Sequence, residues 1–137
     1  MRGHHTVAAA AAAFEAAKKY REERNFDQVR AELLAWEAEH GALPWPYILP
    51  RFEQLRDIWG GGLPVMHHGS DANGNPITLT QMALYRFNEI TSAGLGDVWL
   101  DLVCYCDVYF DLQVHRLCER TKGKSTFLKP PRFNQVS

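Results

Sequence analysis

Hydrophobic residues recur along most of the chain at the three–four spacing that is typical of amphipathic helices. The clearest segment follows Asn25, a typical N-cap residue, and stops before Gly41, which favours the position just after a helix. The apolar and aromatic side chains of this segment, together with its last histidine, share one face: Phe26, Val29, Leu33, Trp36 and His40. The pattern therefore predicts a helix that packs one face on a core.

Four more helices are predicted, over residues 6–23, 50–59, 78–93 and 95–120. Thr6 and Pro50 suit the first positions of two of them, and Thr78 with Gln81 forms a capping box at the start of the fourth. Between the third and the fourth, residues 60–76 predict a long loop, with a small hairpin turn at its Asn-Gly step. No strand is predicted outside that turn.

The last predicted helix is the longest and carries the widest apolar face, which is typical of the central helix of a core. Its face is predicted to comprise Leu95, Trp99, Leu102, Val103, Cys106, Tyr109, Phe110, Val114 and Leu117. The sequence therefore predicts an all-α fold. We expect a compact bundle of about five helices with a long central C-terminal helix, one long loop and a basic C-terminal tail.

The length of 137 residues predicts a single helical domain over residues 1–137, with 1–5 and 130–137 flexible or extended. An apolar fraction of 46% and a charged fraction of 23% are ordinary for a globular protein and argue against disorder. No apolar run is long enough to span a membrane, and no secretory signal is predicted. Three cysteines are an odd number, which favours a reduced, cytoplasmic protein.

Charge is unevenly distributed along the chain. Residues 116–132 contain six basic residues and one acid, a net charge of +5, whereas the remainder carries −6. A basic end on an acidic body is typical of a segment that binds phosphates or an acidic protein surface, although it also suits a solubilising tail. The candidate residues for binding nucleic acid or a partner are Arg116, Arg120, Lys122, Lys124, Lys129, Arg132 and the aromatic Phe127.

Residues 95–129 combine a Leu-Gly-Asp-Val-Trp-Leu start with a basic Glu-Arg-x-Lys-Gly-Lys-Ser turn and a following Phe-Leu-Lys. This block resembles a helix-turn-helix-like domain of small bacterial and prophage proteins, which is similar to region 4 of sigma factors. The resemblance implies a long helix, a tight basic turn and a second helix for the DNA major groove. The chain departs from it at Pro130 and Pro131, which shorten the second helix to about one turn.

A second hypothesis is a protein-interaction module, acting as a homodimer or as a phage-encoded inhibitor of a host protein. Its anchors would be Trp45 and Tyr47 in a proline-flanked segment, with His67 and His68 in the long loop. Tryptophan and tyrosine are common anchors at protein interfaces. The alternative is that both aromatic residues pack under the core.

The sequence contains only weak signals for a catalytic or metal-binding site. The last helix carries acids and a histidine on one stripe, which suits either a metal-dependent enzyme or a solvated face: Asp97, Asp101, Asp111, His115 and Glu119. Cys104 and Cys106 would point in nearly opposite directions on a helix, so they do not form a zinc pair. We therefore expect a non-enzymatic protein without cofactor or metal.

Overall fold

The computed structural model describes residues 6–120, which form five α-helices and one two-stranded antiparallel sheet. Over this range, no helix combines the length and the apolar character needed to cross a bilayer. The predictions for residues 1–5 and 130–137 lie outside the described residues. The elements in chain order are α1 (Val7–Glu23), α2 (Phe26–His40), 3-10 turns at Pro46–Ile48 and Pro50–Phe52, α3 (Glu53–Ile58), β1 (Val65–Ser70), β2 (Pro76–Thr80), a 3-10 turn at Met82–Leu84, α4 (Phe87–Ser92) and α5 (Gly96–Arg120).

The predicted limits of the first two helices are confirmed. The Thr6 hydroxyl accepts a hydrogen bond from the Ala9 N–H at 3.0 Å and so caps α1. Gly41 follows α2 with φ +87°, in the left-handed conformation that glycine adopts at little cost. Asn25 is the N-cap residue of α2 as expected. Its side chain makes no capping hydrogen bond, and its backbone adopts the left-handed conformation with φ +55°. Asparagine tolerates this backbone conformation better than most residues do.

The all-α prediction is correct in part. Between Val65 and Thr80 the chain forms a two-stranded hairpin, whose turn lies at the predicted Asn-Gly step but whose strands were not predicted. Thr78 lies in β2 and not in a helix cap, because alternating apolar and β-branched residues around it pair with β1 in the register Val65–Thr80. The Gln81 N–H donates to the Pro64 carbonyl at 2.7 Å, which extends this pairing. The fourth helix therefore starts only at Phe87.

Helix α5 is the central helix of the core, as its apolar pattern predicts. It packs against α2, α4 and the turn at Pro46–Ile48. Its predicted face is only partly correct, since Trp99 and Phe110 are half-buried. The helix is enclosed on more sides than a one-stripe pattern implies, and its buried residues are Leu102, Cys104, Tyr105, Val108, Tyr109, Leu112 and Leu117.

Helix α1 contributes no buried residue to the core. Val7 and Phe14 are 89% and 67% exposed, so the large apolar side chains in the first two-thirds of this helix face solvent. Contact with the rest of the molecule is made near its end, where the Tyr20 ring meets Phe26 edge-on at 5.7 Å. Its alanines support the helix through propensity and not through packing.

The hairpin turn is held against α5 at Gly74. This residue has φ +85°, and a Cβ added there would lie 2.8 Å from Cδ1 of the buried Leu117. We expect Gly74→Ala to lower the free energy of unfolding by about 1–3 kcal/mol, because it combines backbone strain with overpacking. Gly69→Ala is the matched control, since Gly69 has φ +76° with open space around it. In urea unfolding, equal losses for the two variants would contradict a contact effect at Leu117.

Candidate functional site

Of the predicted basic residues, the structure describes Arg116 and Arg120, and their surroundings differ. Arg116 forms a two-pronged ion pair with Glu37 of α2, in which both nitrogen–oxygen distances are 2.6 Å. Arg120 is exposed at the last residue of α5. The other candidates lie outside the described residues: Lys122, Lys124, Phe127, Lys129 and Arg132. The exposed positive charge of α5 therefore begins at Arg120, because Arg116 is already neutralised by its partner.

The Arg116–Glu37 pair joins the C-terminal parts of α5 and α2. A parallel two-bond geometry between guanidinium and carboxylate is the strongest form of such pairs. The hydrogen bond from Arg116 holds the pKa of Glu37 below its ordinary value. The pKa of Arg116 is raised in turn, chiefly by the hydrogen bond to Glu37. This arginine therefore fastens two helices and is not free to contact a ligand.

This pair makes a prediction about acid stability. Because Glu37 has a lowered pKa in the folded protein, its contribution to stability is present above its unfolded pKa and is lost as the pH falls through the folded pKa. We expect Glu37→Gln to reduce the slope of unfolding free energy against pH between about pH 5 and pH 3. Glu39→Gln, on an exposed part of the same helix, should keep the wild-type slope. An unchanged slope in Glu37→Gln would refute the assignment.

The predicted aromatic anchors Trp45 and Tyr47 belong to the core, which corrects the hypothesis that they form an exposed interaction loop. Tyr47 is 5% exposed, and its hydroxyl lies 3.2 Å from that of Tyr85. Trp45 is half-buried, and its indole N–H donates to the Val65 carbonyl at 3.2 Å. The Trp45 ring also packs edge-on against Tyr109. These residues fasten the segment after α2 to the hairpin and α5.

His67 and His68 lie next to each other on β1, where consecutive side chains point to opposite faces. His67 is half-buried, with Nδ1 3.0 Å from the Tyr109 hydroxyl and Nε2 3.0 Å from the Gly69 carbonyl. A neutral ring that donates from Nε2 and accepts at Nδ1 satisfies both contacts. His68 is exposed. The two histidines therefore do not act together on a shared ligand.

The acidic stripe predicted on α5 is divided among separate ion pairs. Asp111 lies 3.7 Å from Arg21, and His115 lies 3.1 Å from Glu119 on the next turn. Within residues 6–120, no group of three or more histidine, cysteine or acidic side chains is arranged to hold a metal ion. Burial raises the pKa of the Cys106 thiol to about 12, which disfavours the thiolate that metals and electrophiles require.

A polar cluster that the sequence did not reveal joins α2, α5 and the turn at Pro50–Phe52. The Tyr105 hydroxyl donates to Oε2 of Glu32 and accepts from Nη1 of Arg51. Arg51 also lies 3.7 Å from Asp101, and its guanidinium stacks over the Tyr105 ring at 4.7 Å from the centroid. Burial and the bond to Glu32 raise the pKa of Tyr105, so its hydroxyl keeps its proton.

Beside this cluster runs an open groove with a volume of about 250 Å³. We call it the α2 groove, and it is lined by Glu32, Leu33, Trp36, Leu49, Pro50 and Arg51. Glu32 and Trp36 are four residues apart and therefore share one face of α2. That spacing is the one local signal for this site, because the approach of Arg51 and Tyr105 depends on the tertiary fold.

No protein-family model matches the chain, and neither a curated protein nor a solved structure matches it.

Proposed function

We propose that the protein is a small, non-enzymatic, cytoplasmic regulatory protein of bacterial or phage type that binds nucleic acid through its basic C-terminal segment. One observation carries the proposal: residues 120–137 contain five basic residues and no acid. Their first member, Arg120, is exposed at the end of the 25-residue helix α5. Bases without neighbouring acids are typical of segments that neutralise phosphates.

The negative charge of residues 6–119 also favours binding through the C-terminal segment. Residues 6–119 contain nine basic and sixteen acidic residues, a net charge of −7. A polyanion is repelled by this acidic body and attracted to the C-terminal end, so electrostatic steering favours one mode of approach. Phe127 lies within the basic segment and supplies an aromatic ring on which a base can stack. The resemblance of residues 95–129 to a helix-turn-helix-like domain stays a prediction.

The test is a salt titration of binding to labelled duplex DNA and to labelled single-stranded RNA, measured by fluorescence anisotropy. Five phosphate contacts predict that affinity for duplex DNA falls about 500-fold between about 50 and 200 mM salt. The proposal would be refuted if the protein bound neither the DNA nor the RNA at low salt. It would also be refuted if the affinity did not change with salt concentration. A protein target in the transcription machinery would then become the better interpretation.

A second candidate function is self-association through α1. The specific observation is that this 17-residue helix buries none of its own residues and exposes Val7 and Phe14. Val7 and Phe14 are seven residues apart and therefore lie on the same face of α1, and a contiguous exposed apolar face marks an interaction site. Light scattering would then give a dimer mass for the wild type and a monomer mass for Phe14→Glu. A monomer at all concentrations would exclude this function without affecting the nucleic-acid proposal.

A further inference from the structure

The α2 groove is large enough to hold one side chain. Its volume of about 250 Å³ falls below the range that drug-sized ligands occupy, which is about 300–1,000 Å³. Leu33, Leu49 and Pro50 form an apolar wall, while Glu32 and Trp36 lie on the α2 side. An occupant therefore needs an apolar stem and a polar end.

The groove itself is lined by one acid and one base, Glu32 and Arg51, but the polar cluster beside it contains a second acid and so favours a cation. Glu32 and Asp101 are two carboxylates that face a single guanidinium, that of Arg51. Oε2 of Glu32 receives the Tyr105 hydroxyl, whereas Oε1 has no hydrogen-bond donor among residues 6–120. The Glu32 side chain is about half exposed, so this oxygen is accessible from the solvent.

The indole of Trp36 supplies a second contact for a cation. It lies one turn after Glu32 on α2, and the His40 ring stacks on it at 4.1 Å between centroids. The His40 ring covers one face of the indole, and Trp36 itself, without His40, lines the groove. Tryptophan is the aromatic residue that binds cations most strongly over its face, and arginine is its most frequent partner.

The structure already holds one guanidinium by this combination. Arg51 stacks over the Tyr105 ring while its nitrogens meet the carboxylates of Glu32 and Asp101. Trp36 and Oε1 of Glu32 offer the same two elements, an aromatic face and a carboxylate oxygen, on the open side of the cluster. An anion is disfavoured there, because Arg51 is already engaged by two acids.

We propose that the α2 groove binds the side chain of an arginine from a partner protein, with its guanidinium between Trp36 and Oε1 of Glu32 and its methylene stem along Leu33 and Leu49. Arginine fits better than lysine, because its planar guanidinium can stack on the indole and donate to the carboxylate at the same time.

The test is a titration of the ¹⁵N-labelled full-length protein with Nα-acetyl-arginine amide, followed at the Trp36 indole N–H signal, which Trp36→Phe identifies. The citrulline analogue is the matched ligand control, because it has nearly the same shape without the charge. We expect arginine to shift the signal with at least about tenfold higher affinity than citrulline. Equal affinities, or no shift with arginine, would overturn the proposal.

Two variants separate the groove from general electrostatics. Glu32→Gln should weaken arginine binding by about tenfold, whereas Glu39→Gln, an exposed change on the same helix, should leave it unchanged. An equal loss of arginine affinity in the two variants would overturn the proposal. So would a change of the Trp36 signal in the unliganded protein when Lys122, Lys124, Lys129 and Arg132 become glutamine, because the groove would then hold the chain's own segment. A concentration-dependent Trp36 signal would assign the groove to a second copy and overturn it equally.

Discussion

Phe52→Ala is expected to lower the free energy of unfolding by about 3–5 kcal/mol. The Phe52 side chain is 0% exposed, and its ring meets the Tyr105 ring edge-on at 5.2 Å between centroids. It lies between the turn at Pro50–Phe52 and α5, so its removal leaves a cavity under the polar cluster of Glu32, Arg51 and Tyr105. The surrounding turn contains Pro50 and has little freedom to collapse into that space.

Met82→Ala is the control for this variant. Met82 is 62% exposed in the 3-10 turn at Met82–Leu84, so its replacement should change stability by no more than about 0.5 kcal/mol. Urea unfolding followed by circular dichroism measures both variants. A loss below about 1 kcal/mol for Phe52→Ala would contradict its placement at the centre of the core.

The second large effect concerns nucleic-acid binding. Replacing Lys122, Lys124, Lys129 and Arg132 together with glutamine should reduce the slope of log affinity against log salt by about 3.6, since each phosphate contact contributes about 0.9. At low salt the variant should bind more weakly to every sequence in similar proportion, because phosphate contacts carry no base information. Anisotropy titrations at several salt concentrations measure the slope directly.

Arg116→Gln is the control that the structure provides for this experiment. Arg116 is engaged by Glu37 through two bonds of 2.6 Å, so its replacement should leave the salt slope unchanged while reducing thermal stability. If Arg116→Gln lowered the slope by as much as one lysine substitution does, the ion pair would have to open on binding. An unchanged slope in the fourfold variant would refute the assignment of the basic segment.

Local rules account for the parts of the fold that were predicted correctly. Thr6, Gly41 and the apolar face of α2 act within one or two turns of helix, and their effects are visible in the sequence. The same rules failed at Thr78, where a capping-box pattern occurs in a strand. Pairing with β1 outweighed the local helix signal there, because four of the five residues of β2 have a partner on β1.

The candidate sites divide in a similar way. The charge contrast between the C-terminal segment and the body is a property of the sequence and needs no structure. The α2 groove was not predicted, because Glu32 and Tyr105 are 73 positions apart and no local pattern around Arg51 indicates its contact with either of them. Residue type alone suggested Trp45 and Tyr47 as exposed anchors. Their burial depends on partners far along the chain, such as Val65 for Trp45 and Tyr85 for Tyr47.

The amino-acid sequence by itself determined the helices at both ends of the described chain, the N-cap of α1, the central position of α5 and the separation of positive from negative charge. These properties depend on residues within a few positions of one another or on simple sums along the chain. Only the tertiary structure decided that Arg116 is tied to Glu37, 79 positions away, and that residues 65–80 form a hairpin. The physical reason is that long-range partners are selected by how the whole core packs, and no local pattern encodes that selection.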